Sequence, residues 1–61
     1  MTLQEVIDEY NLMVQSNKEE LDPETMETLM PMIISLIKSN TEEEIPELEF
    51  INNLGQIKIK S

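Results

Sequence analysis

The stretch from residue 22 to residue 40, DPETMETLMPMIISLIKSN, restricts the fold of this chain more than any other segment. At ~100° per residue, its apolar side chains fill one continuous arc of roughly 200°, about twice the stripe of an ordinary surface helix. The arc consists of Met26, Leu29, Met30, Met32, Ile33, Ile34, Leu36 and Ile37. A helix with so wide an apolar surface has to be covered from more than one side.

Pro31 lies on the remaining, mostly polar face of the same stretch. A proline inside a helix removes one main-chain hydrogen bond and clashes with the carbonyl four residues earlier, here that of Glu27. Helices bend at such positions, with the proline on the outer side. We therefore predict one bent central helix over residues 23–39.

Both ends of this helix carry local signals. Asp22 is suited to the N-cap position and Pro23 to the first helical position. Lys38 lies where a cation interacts favourably with the negative end of the helix dipole. Asn40 is the expected left-handed residue after the helix.

A first helix is predicted over residues 3–16, because Thr2 and Glu5 have the spacing of a capping box. Its apolar stripe covers roughly 120°, which is typical of an amphipathic surface helix. The stripe consists of Leu3, Val6, Ile7, Tyr10, Met13 and Val14. Leu12 is the one apolar residue that points away from it. The polar connection that follows is short, so the two helices should form an antiparallel hairpin.

After Pro46 the pattern changes to a period of two, which predicts a β-hairpin over residues 47–60 with its turn in Asn52-Asn53-Leu54-Gly55. Two apolar pairs and two pairs of opposite charge support one register. These pairs are Leu48 with Ile59, Phe50 with Ile57, Glu49 with Lys58 and Glu47 with Lys60. The alternative is a short helix over residues 46–54, ended by Gly55, with residues 56–60 as a lone strand.

These elements predict an α+β fold, mainly α: an antiparallel helical hairpin with a bent central helix, followed by a C-terminal β-hairpin packed on it. We expect residues 1–61 to form one small domain, with a linker over residues 40–46. An isolated hairpin is unstable in water, so its apolar face should lie on the helices. Both hairpin edges are expected to be open, and residues 57–60 are one place where a second strand would pair.

The composition argues against an enzyme. The chain has no cysteine and no histidine, which excludes thiol and imidazole chemistry and the usual zinc sites. No glycine-rich phosphate loop or flanked serine nucleophile is present. The acidic run over residues 42–44 is expected to be solvated and not to form a catalytic pair. We expect no cofactor and no bound metal.

The charge indicates the class of partner. Thirteen acidic residues face four lysines and no arginine, for a net charge of −9. Such a chain repels nucleic acids and anionic membranes, so we expect no direct contact with either. The leading hypothesis is a small acidic regulator or inhibitor that docks on the basic surface of a protein. Its candidate contacts are Glu5, Asp8, Glu9, Glu19 and Glu20. Small phage or mobile-element products share this size and charge.

Two other functions are compatible with the sequence. The acidic helices are also suited to imitate phosphate spacing and to occupy the nucleic-acid cleft of another protein. Alternatively, the chain is an assembly component that forms a homodimer or a mixed oligomer through the central helix or the hairpin edge, since a core of this size is marginal alone. The candidate apolar contacts are Leu12, Met32, Ile34 and Leu36. No apolar run approaches the ~20 residues of a membrane span, so we expect a cytoplasmic protein.

Overall fold

A computed structural model describes residues 1–61 and shows two helices followed by a two-stranded antiparallel sheet. Helix α1 runs over Leu3–Gln15 and α2 over Pro23–Lys38, while strands β1 and β2 cover Leu48–Phe50 and Ile57–Ile59. The predicted α+β class, mainly α, is therefore confirmed. Each helix ends one residue earlier than predicted, and only the central residues of the predicted hairpin arms have strand geometry.

The start of α1 is fixed by its own residues and by the linker. The Thr2 hydroxyl accepts a hydrogen bond from the Glu5 N–H at 3.2 Å, and the Glu5 carboxylate accepts one from the Thr2 N–H at 3.1 Å, as predicted for a capping box. A carboxylate oxygen of Glu43 also accepts a bond from the Leu3 N–H at 2.6 Å. The expectation that residues 42–44 are freely solvated is therefore wrong for Glu43, because the first N–H groups of a helix need acceptors.

Helix α2 begins as predicted but ends differently. The Asp22 carboxylate accepts a hydrogen bond from the Thr25 N–H at 2.7 Å, and Pro23 is the first helical residue. No residue other than glycine has a positive φ, so the left-handed cap predicted at Asn40 is wrong. Its side-chain amide donates to the Leu36 carbonyl at 2.8 Å and so satisfies the helix end without that conformation. Pro31 is exposed, and the bend there stays a prediction.

The hairpin has the predicted register. Leu48 pairs with Ile59, Glu49 with Lys58 and Phe50 with Ile57. The charged pairs also form on the solvent side, at 3.2 Å between Lys58 Nζ and Glu49 and at 3.5 Å between Lys60 Nζ and Glu47. The alternative of a short helix over residues 46–54 is wrong, because residues 48–50 form a strand.

The core lies where α1, α2 and β2 meet. One isoleucine from each element is almost completely buried, namely Ile7, Ile37 and Ile57. The other members of the cluster are Leu3, Val6, Ile33 and Leu48, and Leu29, Met30 and Ile34 of α2 pack against it. The wide arc of α2 is thus partly covered, while Met32 and Leu36 remain exposed.

Candidate partner-binding surfaces

Three of the predicted electrostatic contacts share one face of α1, which we name the acidic face. Glu5, Asp8 and Glu9 follow the spacing that places helical residues side by side, and all three are exposed. Asp8 accepts a hydrogen bond from the Gln4 side chain at 2.9 Å. Hydrogen bonds from the backbone and side chain of Thr2 lower the pKa of Glu5, which keeps its carboxylate ionised. The acidic face therefore presents fixed negative charge.

The other two predicted contacts, Glu19 and Glu20, lie apart from the acidic face. Both are exposed and belong to the connection between the helices, after α1 has ended. Neither forms an ion pair within the chain. The five candidate carboxylates thus form two groups along the molecule rather than one continuous site.

The ion pairs of the molecule are confined to the hairpin. The structure contains two, and they neutralise Glu47 and Glu49. Because the chain has 13 acidic residues, the 11 others have no cationic partner within it. The uncompensated charge therefore belongs to the helices and their connections.

The predicted apolar contacts also fall into separate environments. Leu12, Met32 and Leu36 expose 67%, 64% and 44% of their surface, whereas Ile34 is half-buried against the core. Leu36 lines an open cleft of about 220 Å³ between the helices, together with Met1 and Met13. Leu12 does not reach this cleft, so the four residues do not form one patch.

The apolar stripe of α1 predicts that Met13 faces the core and that Asn11 faces solvent, and the structure shows the reverse. The stripe includes Met13, but this side chain is 62% exposed, so that expectation is wrong. Asn11, on the opposite border of the stripe, is half-buried against β2. The helix is turned toward the hairpin because Asn11 has hydrogen-bonding partners there, and the edge bearing Met13 is left in solvent.

Asn11 binds the main chain of β2 with both ends of its amide. Its Oδ1 accepts a hydrogen bond from the Ile57 N–H and its Nδ2 donates one to the Ile57 carbonyl, each at 2.9 Å. The Gln56 side chain donates to the Asn11 carbonyl at 3.0 Å. The amide thus replaces the peptide group of a neighbouring strand. Sequence reasoning missed this role, and the available signal was a short amide bordering the apolar stripe.

The turn of the hairpin is held against α1 by a second polar contact. The Tyr10 hydroxyl donates to the carbonyl of Gly55 at 2.7 Å, and burial raises the pKa of this tyrosine. Gly55 has a φ of +99°, and a β-carbon there would lie 3.3 Å from Leu21 Cδ1. Glycine is needed at this position both for the backbone conformation and for the close packing.

No cluster of three or more acidic, histidine or cysteine side chains is arranged to hold a metal ion. Neither helix has the length and apolarity needed to cross a membrane. Comparison with protein-family models, curated proteins and solved structures gave no match.

Proposed function

We propose that this protein is a cytoplasmic, non-enzymatic regulator or inhibitor that docks its acidic face on the basic surface of a partner protein. The observation that supports the proposal is the absence of ion pairs for 11 of the 13 carboxylates. Unpaired surface charge of one sign accelerates association with an oppositely charged surface and disfavours like-charged partners.

The anchoring of α1 also favours this function. Its N-terminus is bound by the capping box and by Glu43, while Tyr10 and Asn11 bind the hairpin. The carboxylates of the acidic face are therefore displayed by a backbone that is already ordered. Preorganisation of this kind lowers the entropy lost on binding.

The test is charge reversal at Asp8 and Glu9 in one double variant, with Glu42→Lys/Glu44→Lys as a control of the same net charge. The partner is first identified by capture from the native lysate at two salt concentrations. Because steering depends on charge near the docking site, Asp8→Lys/Glu9→Lys should lower the association rate at least about tenfold at low salt. The control should lower it much less.

Association kinetics with the purified partner provide the measurement. The rate for the wild-type protein should fall steeply between about 0.05 and 0.5 M salt, because screening shortens the range of the attraction. A rate that is insensitive to salt, or equal losses in both double variants, would contradict docking through the acidic face.

Self-association is a second candidate function, supported by the exposure of Met32, Leu36 and Met13. A second copy placed on this side of the helices would cover the cleft that Leu36 lines. Substitutions Met32→Glu and Leu36→Glu should then convert a dimer to a monomer while the helical content is retained. Light scattering measures the molecular mass and circular dichroism the helical content. A wild-type protein with the mass of a monomer would exclude the dimer.

Salt distinguishes the two candidates. Two copies with a net charge of −9 repel each other, so added salt should strengthen a homodimer. The same change weakens docking on a basic partner. The direction of the salt effect therefore identifies which association is being observed.

A further inference from the structure

The outer edge of β1 is open. In an antiparallel pair, residues alternate between those that bond their partner strand and those whose N–H and C=O groups point away from it. The bonds from the Ile51 N–H to the Gln56 carbonyl and from the Lys60 N–H to the Glu47 carbonyl fix this alternation. Leu48 and Phe50 consequently direct their main-chain groups outward, and no other segment bonds them.

The outer edge of β2 is different at Ile57, because α1 covers it there, so the expectation that both hairpin edges are open is wrong at this position. Ile57 lies opposite Phe50 in the ladder, and its outward N–H and C=O groups are both bonded by the Asn11 amide. The two edges of one short hairpin are thus unequal. One is occupied by a side chain from the same protein, and the other is left with free donors and acceptors.

An open groove runs between the free edge of β1 and α2, and we name it the edge groove. Its volume is about 470 Å³. Apolar side chains from both elements line it, and two carboxylates border it. These residues are Met26, Met30, Leu48 and Phe50, with Glu27 and Glu49.

We propose that the edge groove binds an extended segment of a partner protein in which apolar and basic side chains alternate, added to β1 as a third strand. In a strand, alternate side chains point to opposite faces. Apolar residues of the segment would contact Met26, Met30 and Phe50. Its basic residues would lie on the solvent face, beside the second carboxylate oxygens of Glu47 and Glu49, because the pairs with Lys60 and Lys58 are made through Oε1.

Charge complementarity determines the class of occupant. No lysine lines the groove, and the two lysines of the hairpin are already paired on the far side of β1. Strand β2, which pairs with the inner edge of β1, shows which side-chain pattern is complementary to β1. In β2, Ile57 and Ile59 face the core side while Lys58 and Lys60 oppose Glu49 and Glu47. A third strand with the same alternation would place apolar side chains on the core side and basic side chains beside the glutamates of β1, as β2 does on the inner edge.

A second copy of this chain is a poorer occupant. Antiparallel pairing of two β1 strands about their central residue would place Glu49 directly opposite Glu49, and like charges in that position are destabilising. The basic character of the expected partner rests on the proposed function. The edge groove is a different surface from the acidic face, because the acidic face lies on α1 and the edge groove lies between α2 and β1.

The probe is a nine-residue peptide of alternating lysine and valine, with blocked ends, added to the ¹⁵N-labelled protein. Hydrogen exchange at the amides of Leu48 and Phe50 should slow about tenfold when the peptide is present at about ten times its Kd. Exchange at the amide of Ile57 should slow no more than exchange at the core amides of α1 and α2, because Asn11 already binds it and the peptide adds no hydrogen bond there. Protection spread over α1 instead of β1 would overturn the proposal.

N-methylation of the peptide tests whether the main chain is used. Two versions are needed, each methylated at one alternating set of amides, because only one set faces β1. Loss of two hydrogen bonds should weaken binding of one version by about 10- to 30-fold and leave the other near the unmodified affinity. Equal binding of both versions would show that no strand is added and would overturn the proposal.

Charge reversal at the groove supplies a matched pair of protein variants. Glu27→Lys should weaken peptide binding about threefold to tenfold at low salt, whereas Glu42→Lys, on the linker, should have little effect. Equal losses would show that only net charge matters and would overturn the proposal. The two proposals also fail separately. If the peptide does not bind while the partner still responds to Asp8→Lys/Glu9→Lys, the edge groove is wrong and the proposed function stands.

Discussion

Asn11 determines which side of α1 meets the hairpin. It lies at the border of the apolar stripe, and its amide satisfies both outward main-chain groups of Ile57. The apolar pattern alone favours burial of Met13, on the other border. In the structure the Asn11 amide is half-buried against β2 instead, because leaving the main-chain groups of Ile57 without hydrogen bonds costs more free energy than exposing one methionine.

Asn11→Ala should therefore destabilise the fold. It leaves a donor and an acceptor of Ile57 without partners, at about 1–3 kcal/mol each when they stay out of water. The better helix propensity of alanine returns at most about 0.7 kcal/mol. We expect a net loss of about 2 kcal/mol in the free energy of unfolding, measured by urea denaturation.

The neighbouring substitution Leu12→Ala is the control for Asn11→Ala. Leu12 is exposed and bonds nothing in the hairpin, so its loss should change stability by no more than about 0.5 kcal/mol. Hydrogen exchange adds a second readout, since the amide of Ile57 should exchange faster only in Asn11→Ala. Similar stability in both variants would mean that water replaces the Asn11 amide.

The residue-scale features that could be predicted from sequence are those that depend on neighbours along the chain. Thr2 with Glu5, and Asp22 with Thr25, have their hydrogen-bonding partners within three residues, so spacing alone identifies them. Asn11 contacts a residue 46 positions away. Nothing in the local sequence specifies that contact, because it depends on how the hairpin approaches α1.

At the scale of elements, the start of α2 should respond to acid. Hydrogen bonds from the side chain and backbone of Thr25 lower the pKa of Asp22 below its ordinary value of 3.8. A carboxyl group whose pKa is lower in the folded state stabilises the fold above its unfolded pKa, and this stabilisation is lost as the pH falls through the folded value.

Asp22→Ala should accordingly lower the Tm at pH 7, and the difference from the wild type should shrink as the pH falls below about 3.8. Comparing the two proteins at each pH removes the general effect of acid on the other carboxylates. Thr28→Ala, in the same helix but without a carboxyl group, should show a difference that does not vary with pH. A constant difference for Asp22→Ala would contradict the capping role.

The hairpin register was predictable because two independent patterns agree on it. The period of two assigns the faces, and the Glu–Lys pairs select one alignment. The ends of the strands were less predictable, since only three residues on each side keep strand geometry. The exposed edge of α1 was also unpredictable, because a border position becomes core or surface only when a neighbouring element is in place.

At the scale of the whole molecule, unbalanced charge should limit stability. Eleven carboxylates without ion pairs repel one another, while the two exposed ion pairs of the hairpin contribute at most about 1 kcal/mol each. Screening by salt should therefore weaken the repulsion among the carboxylates more than it weakens the attraction within the two ion pairs. The fold is expected to be more stable in salt.

We expect the Tm to rise between about 0.01 and 0.5 M sodium chloride, because the screening length falls from about 30 Å to a few ångströms. Circular dichroism at low protein concentration gives the measurement. Repeating it over a range of protein concentrations separates this effect from dimer formation, which also raises the Tm. A Tm that falls with salt would mean that attractive pairs dominate.

The unequal edges of the hairpin also limit how far the sheet can be extended by added strands. A sheet that is open on both sides can accept strands without end and so extend into a fibre. Here α1 and the amide of Asn11 cover β2 at Ile57, so no second strand can pair along the full length of β2. Head-to-tail stacking of copies of this chain, with β1 of one copy paired to β2 of the next, is therefore blocked at Ile57, although β1 remains open to a partner strand.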